Sequence, residues 1–264
     1  MVISLNILQE IAQRTKERIE AQKKTLPLEK IMEKALSGTE NDFPFEKALR
    51  TNDIAFICEI KRASPSKGII AEDFPYLDIA RDYEAAGAAA ISVLTEPFYF
   101  RGSDQYLHEI ANAVSIPLLR KDFTVDSYMI YEAKLLGASA VLLICSLLEQ
   151  DVLAEYISIA HSLGLSALVE THSEDEVKMA LSVGAKIIGV NNRNLKTFEV
   201  DIALSERLRV LVPPDVLFVS ESGINRAEDI SRLRQLGANA VLIGETLMRS
   251  PDKKAVLAEL RGRL

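Results

Sequence analysis

The chain has no tryptophan, two cysteines and three histidines among its 264 residues, and each shortage closes off a class of chemistry. Cys58 and Cys145 fall inside apolar strand-like runs, so they read as reduced core thiols rather than as a disulfide or metal site. The histidines at 108, 161 and 172 are scattered, which argues against zinc. No apolar run approaches the roughly 20 residues of a membrane span, and residues 1–8 are not followed by a signal-peptide cleavage pattern. The expected setting is therefore cytoplasmic, with no membrane partner. Positive charge is also short: the net charge is −7, which argues against a nucleic-acid surface built from clustered Lys and Arg. An anionic small molecule needs a local basic cluster here.

What is present is a globular composition, 48% hydrophobic and 26% charged. Residues 5–36 have helical spacing, with Leu5, Leu8, Ile11 and Ala12 on one face and a break at Leu26-Pro27. Residues 39–44 are loop-like, and 45–49 suit one more helical turn. From Ala55 the chain alternates short apolar runs with longer amphipathic ones, the pattern of a parallel sheet with crossover helices. Eight strands are expected, at 55–61, 89–95, 117–122, 139–145, 166–171, 186–191, 216–221 and 240–244. Their number and the chain length predict a (β/α)8 TIM barrel as a single domain over residues 1–264, of which 1–49 form an N-terminal helical extension covering the barrel mouth. A doubly wound open sheet is the alternative, but no Gly-x-Gly-x-x-Gly follows any strand. Gly87-Ala88, Gly137-Ala138, Gly184-Ala185 and Gly237-Ala238 recur at roughly fifty-residue intervals and are read as left-handed helix caps leading into every second strand.

The stretch 57–68 is the most informative. Strand alternation puts Phe56, Cys58 and Ile60 on one face and Ile57, Glu59 and Lys61 on the other, and Ser64-Pro65-Ser66-Lys67-Gly68 follows as turn residues. Two opposite charges thus end a strand where parallel α/β folds hold ligands. Other strand ends repeat the theme: Arg120-Lys121-Asp122-Phe123, Glu170-Thr171, Asn191-Asn192-Arg193, Glu221-Ser222-Gly223 and Gly244-Glu245. One such end is ordinary loop polarity, but closing a barrel brings them round one mouth. Parity points Lys121 inward and Arg120 and Asp122 toward helices or rim. Ser222-Gly223 and Gly244-Glu245 suit a phosphate site, since glycine admits backbone N–H groups close to an anion, provided the Glu245 side chain points away.

These residues, with Leu94-Thr95-Glu96, Tyr99-Phe100-Arg101-Gly102-Ser103, Leu168-Val169-Glu170, Gly189-Val190 and Asn194-Leu195, resemble the indole-3-glycerol-phosphate synthase family over nearly the whole chain. The resemblance implies a carboxy-lyase of tryptophan biosynthesis that converts 1-(2-carboxyphenylamino)-1-deoxyribulose 5-phosphate to indole-3-glycerol phosphate, carbon dioxide and water. It implies catalytic roles for Lys121, Glu170, Lys61, Glu59, Asn191 and Ser222. Arg193, Glu221, Ser64, Phe100, Phe123 and Leu142 are expected to bind substrate, and Lys61, Gly223, Gly244 and Glu245 its phosphate. It implies no metal or organic cofactor. The division of labour between Lys61 and Lys121 stays open, as does whether Glu170 is a base or an electrostatic stabiliser. Two departures are Ala63, where some members carry lysine, and the missing tryptophan, which leaves Leu5, Leu8 or Ile11 to cover the site. The rival readings are a phosphosugar isomerase on a related barrel and a barrel kept only for binding or assembly. The oligomeric state is open: a monomer fits, and so does association with other enzymes of the tryptophan pathway.

Overall fold

The computed structural model describes residues 7–37, 42–195 and 197–262, so Leu5 and residues 39–41 of the expected loop lie outside it. Three helices come first: α1 (Ile7–Thr25), α2 (Leu28–Leu36) and α3 (Pro44–Leu49). The strands in chain order are β1 (Ala55–Ile60), β2 (Ala63–Ser64), β3 (Gly68–Ile69), β4 (Ala90–Leu94), β5 (Leu118–Lys121), β6 (Ala140–Ile144), β7 (Ser166–Thr171), β8 (Ile187–Asn191), β9 (Leu217–Glu221) and β10 (Ala240–Ile243). β1 and β4 to β10 pair in parallel, each with its sequence neighbours, and β10 closes back on β1 through Ala55↔Ala240 and Ile57↔Leu242. The expected barrel and its eight strands are the observed ones, within a residue or two at each end.

β2 and β3 were not foreseen. They form a small antiparallel hairpin in which Ala63 pairs with Ile69 and Ser64 with Gly68, where the sequence suggested only a turn. Gly68 at φ +65° supplies the left-handed residue that often ends a three-residue hairpin loop.

Strand alternation sorts the core into two layers. Ile57, Ala90, Leu119, Leu142, Leu168 and Val219 pack together inside the barrel, while Phe56, Cys58, Ile60, Ile91 and Val93 face the helices. The inside positions one step further along are Glu59, Lys121, Glu170, Asn191 and Glu221, so the same period that builds the core aims five polar side chains at one end. Both cysteines are buried and free. The four Gly-Ala glycines cap their helices at φ between +73° and +88°, a backbone region that L side chains avoid.

The helical residues before β1 serve both ends of the barrel. Inward positions at the amino ends of the strands include Ala55, Ala90, Ala140 and Ala240, and the room these small residues leave is occupied by Phe45 and Leu49 of α3, both essentially fully buried. α3 is therefore a plug at the end opposite the strand carboxyl ends. α1 lies at the other end. Arg18 donates to Asp122 at 2.7 Å and to the carbonyl of Thr95 at 3.4 Å, Lys23 meets Asp126 at 2.6 Å, and Tyr99 donates to Glu10 at 2.6 Å. α2 packs on the helix Tyr128–Leu135.

Candidate active site

A cavity of about 880 Å³ opens at the carboxyl ends of the barrel strands. The residues expected to act in catalysis or to bind substrate and phosphate line it, because each sits on an inward strand position or on a loop that follows a barrel strand. Three carboxylates, Glu59, Glu170 and Glu221, face two lysines, Lys61 and Lys121. All three carboxylates are buried, so the surplus negative charge has to be resolved by pairing or by protonation.

Lys121 is the centre of one group. Its Nζ donates to Glu170 Oε2 at 2.9 Å and lies 3.3 Å from Glu221 Oε2. Burial works to discharge this lysine, but Glu170, Glu221 and Glu59 outweigh it and raise its pKa well above the lysine range. Glu170 goes the other way. Burial favours its neutral form, yet Lys121 and the His172 ring lower its pKa below the carboxylate range. Glu221 carries the surplus: burial, reinforced by Glu170 and Glu59, pushes it up to about 7 against the pull of Lys121. Its Oε1 has no hydrogen-bond partner among the described residues. A Cβ at position 189 would lie 2.3 Å from that atom, so Gly189 is what makes room for the carboxylate.

Lys61 donates to Glu59 to form the second pair. Gly244 leaves space for it: a Cβ there would stand 2.4 Å from Glu59 Oε1 and 3.1 Å from Lys61 Nζ. Ser64, Pro65, Ser66 and Lys67 of the hairpin line the same side. The Glu245 carboxylate is engaged by Arg249 at 3.1 Å and Lys67 at 3.6 Å, and these cations with Lys61 lower its pKa against the effect of burial.

Across the mouth, Asn191 Oδ1 accepts from Ser222 Oγ at 2.9 Å and from the Arg193 N–H at 3.1 Å, and the Arg193 guanidinium donates to the Phe198 carbonyl at 3.2 Å. Ser222 and Gly223 both have positive φ, +68° and +82°. A Cβ on Gly223 would strike Val200 at 2.4 Å, so the turn after β9 needs its glycine for conformation and for space. Beneath it, buried Asn192 ties β8 to β9 and the next helix through Ser205, Ser220 and the Ser222 carbonyl.

The third side is apolar. The Phe100 and Phe123 rings stand 5.9 Å apart at 41°, with Leu94, Leu142 and Ile144 alongside and Ile7, Leu8 and Ile11 of α1 completing the wall. Phe100 is held by a loop that wraps a carboxylate: buried Glu96 accepts the N–H groups of Phe98, Tyr99 and Phe100 at 2.7–3.0 Å. Arg120, as parity indicated, points away to Asp104, Glu132 and the Met129 carbonyl.

Three of these contributors do not stand out in the sequence: Glu96 and Asn192 occur there only as parts of motifs, and His172 as one of three scattered histidines. For His172 a signal existed: it has the parity of Glu170, two residues on. Among the described residues no cluster of three or more His, Cys, Asp or Glu side chains is arranged to hold a metal ion.

A closed parallel barrel with lysine–carboxylate pairs and an aromatic wall at its carboxyl-end mouth defines an enzyme of acid–base chemistry on a small substrate. Residues 8–260 match the family described as Indole-3-glycerol phosphate synthase. Relatives bearing that description include one from Ruminiclostridium cellulolyticum, 63% identical over 97% of this chain and 99% of its own length. Others come from Endomicrobium trichonymphae, 54% identical over 97% and 99% of the two chains, and Lachnoclostridium phytofermentans, 51% identical over 98% and 100%. The chain belongs to the indole-3-glycerol phosphate synthase family and is a lyase. Solved structures of a 3-hexulose-6-phosphate synthase (15% identical, TM-score 0.63, 80% of this chain and 100% of that one) and of a tryptophan synthase α-subunit from Pyrococcus furiosus (17%, 0.61, 80% and 98%) share the fold.

Proposed function

We propose that this mouth closes the pyrrole ring of 1-(2-carboxyphenylamino)-1-deoxyribulose 5-phosphate, with Lys121 as the acid of ring closure. The observation that carries the assignment is the position of Lys121 Nζ between Glu170 and Glu221, a charged donor that substrate can reach from the apolar side. As the aromatic carbon bonds to the ketone carbon, the ketone oxygen gains negative charge. An alkoxide is a stronger base than a lysine amine, so transfer of the Lys121 proton to it is downhill even from an ammonium held above its usual pKa. The carboxylate on the attacked ring carbon then leaves as carbon dioxide. Loss of the new hydroxyl as water needs a proton at its oxygen and removal of one from the ring system. Lys61, paired with Glu59, supplies the first, and Glu170, whose carboxylate Lys121 and His172 hold in its charged form, accepts the second.

The remaining residues orient the substrate. Phe100, Phe123 and Leu142 flank the anthranilate ring, with Ile7, Leu8 and Ile11 of α1 closing over it. Arg193 and Asn191 meet its polar groups, and the left-handed Ser222-Gly223 turn with Gly244, Ser64 and Lys61 receives the phosphate. The experiment is direct: the purified protein is mixed with the substrate and indole fluorescence is followed. The tryptophan-free chain keeps the background low. Formation of an indole product with equimolar carbon dioxide is expected, and its absence under conditions where the protein is folded overturns the assignment.

A further inference from the structure

The sequence Glu170-Thr171-His172-Ser173-Glu174-Asp175-Glu176 leaves β7 and enters the helix Glu174–Ser182. Ser173 caps that helix, accepting the Glu176 N–H at 3.2 Å. In a capping box the glutamate at this place would reach back to the cap residue itself. Here Glu176 reaches one residue further, taking the backbone N–H of His172 at 2.6 Å and facing its ring Nδ1 at 3.3 Å with the same oxygen. The displacement fixes the imidazole. Its other nitrogen, Nε2, lies 3.4 Å from Glu170 Oε1, an ion-pair distance without hydrogen-bond alignment.

Glu170 is thus gripped at both oxygens, Oε2 by Lys121 and Oε1 by His172. His172 is not among the residues lining the cavity; it stands behind the carboxylate. The groups facing its ring are Glu170 from β7 and Glu176 from the following helix. Burial lowers the imidazole's proton affinity, but these two carboxylates outweigh it and raise its pKa to about 10.

We propose that His172 is a positioning residue for the reaction: its ring, held between Glu176 and Glu170, fixes the Glu170 carboxylate toward the mouth in the form that accepts a proton. This rests on the role given to Glu170 above. A helix cap alone would explain Glu176 and Ser173, but it does not require a charged ring aimed back at a buried carboxylate of the site.

The test compares wild type, His172→Gln, His172→Leu and Glu176→Gln side by side, measuring kcat, KM, thermal midpoint and the kcat profile from pH 4 to 9. With the charge behind it gone, Glu170 binds its proton more readily, so an acid limb of kcat that lies below this range in wild type moves up into it in both His172 variants. His172→Leu is expected to lose about tenfold or more in kcat with KM within about threefold. His172→Gln, whose amide can still reach Oε1, recovers part of the kcat loss but keeps the shifted limb. Glu176→Gln, which loosens the ring, shifts the limb in the same direction by less. A folded His172→Leu with unchanged kcat and unchanged acid limb overturns the proposal, and so does a rise in KM alone. If His172→Leu fails to fold, an unmoved limb in His172→Gln overturns it equally. A wild type that makes no indole product strikes the preceding reading; an active wild type with indifferent variants strikes only this one.

Discussion

Replacing Lys121 with methionine keeps most of the side-chain volume and removes a cation that both Glu170 and Glu221 face. Two effects follow, and the structure gives each a size. The first is kinetic: loss of a positioned acid costs about 10²–10⁴ in rate, and more if the ammonium also stabilises the developing alkoxide. The second is thermodynamic. Burial favours the neutral form of Glu170, and Lys121 with His172 outweighs it; with Lys121 gone, the upper limit is a buried carboxylate that takes up a proton on folding. Relative to an unfolded glutamate at its ordinary 4.5, that uptake costs 2.5 pH units at pH 7, or about 3 kcal/mol at about 1.36 kcal/mol per unit. At pH 5 it costs half a unit, under about 1 kcal/mol. The sign is fixed: wild-type Glu170 is charged both folded and unfolded across this range, whereas in the variant its raised pKa costs more with every pH unit above 4.5, so the variant's deficit grows as pH rises from 5 to 7. Urea unfolding at the two pH values measures this, and fluorescence turnover measures the rate. Lys121→Arg separates the roles, since it restores charge but holds its proton too tightly to donate. It is expected to repair stability and leave kcat depressed by about 10² or more. Near-normal turnover in Lys121→Arg, or a stability deficit that does not change with pH in Lys121→Met, would refute the reasoning.

Three further outcomes are expected. Gly244→Ala puts a Cβ onto the Glu59–Lys61 pair, so kcat should fall along with any rise in KM; a rise in KM alone would mean that the glycine serves only the phosphate. Glu221, pushed up to about 7, contributes stability below pH 4.5 that is lost as pH rises through 7, so Glu221→Gln should gain on wild type by up to about 3 kcal/mol between pH 5 and 8; a flat difference in unfolding free energy counts against it. Phe45→Ala, at the far end of the barrel, should cost about 3–5 kcal/mol of stability while leaving kcat per folded molecule within about twofold, and a large kcat loss in soluble, folded protein would show that the plug reaches the site.

The parts legible in the sequence are those governed by strand alternation. Period two placed Glu59 with Lys61 and Lys121 with Leu119 and Phe123, and separated Arg120, which the structure indeed turns outward into Asp104 and Glu132. What stayed hidden depends on direction or on partners distant in the chain. Phe45 and Leu49 have the same helical spacing as the residues of α1, and nothing local says that one helix plugs the bottom while the other borders the mouth. The β2–β3 hairpin has two residue pairs, too few for an alternating pattern. Glu96 looks like any polar residue after a strand until three N–H groups converge on it. In the sequence Gly244 suits an anion approaching from outside, whereas the structure shows it yielding space to Glu59 and Lys61.

The claim at the centre is that the Lys121, Lys61 and glutamate pairs remove the substrate's carboxylate as they close its ring. Carbon-13 at that carboxyl group tests it in one experiment, by NMR during turnover alongside indole fluorescence. The account predicts one labelled carbon dioxide or bicarbonate for each indole formed, at the same rate, with both signals lost together in Lys121→Met. A carboxyl signal that stays on the aromatic ring while the sugar moiety isomerises would contradict it.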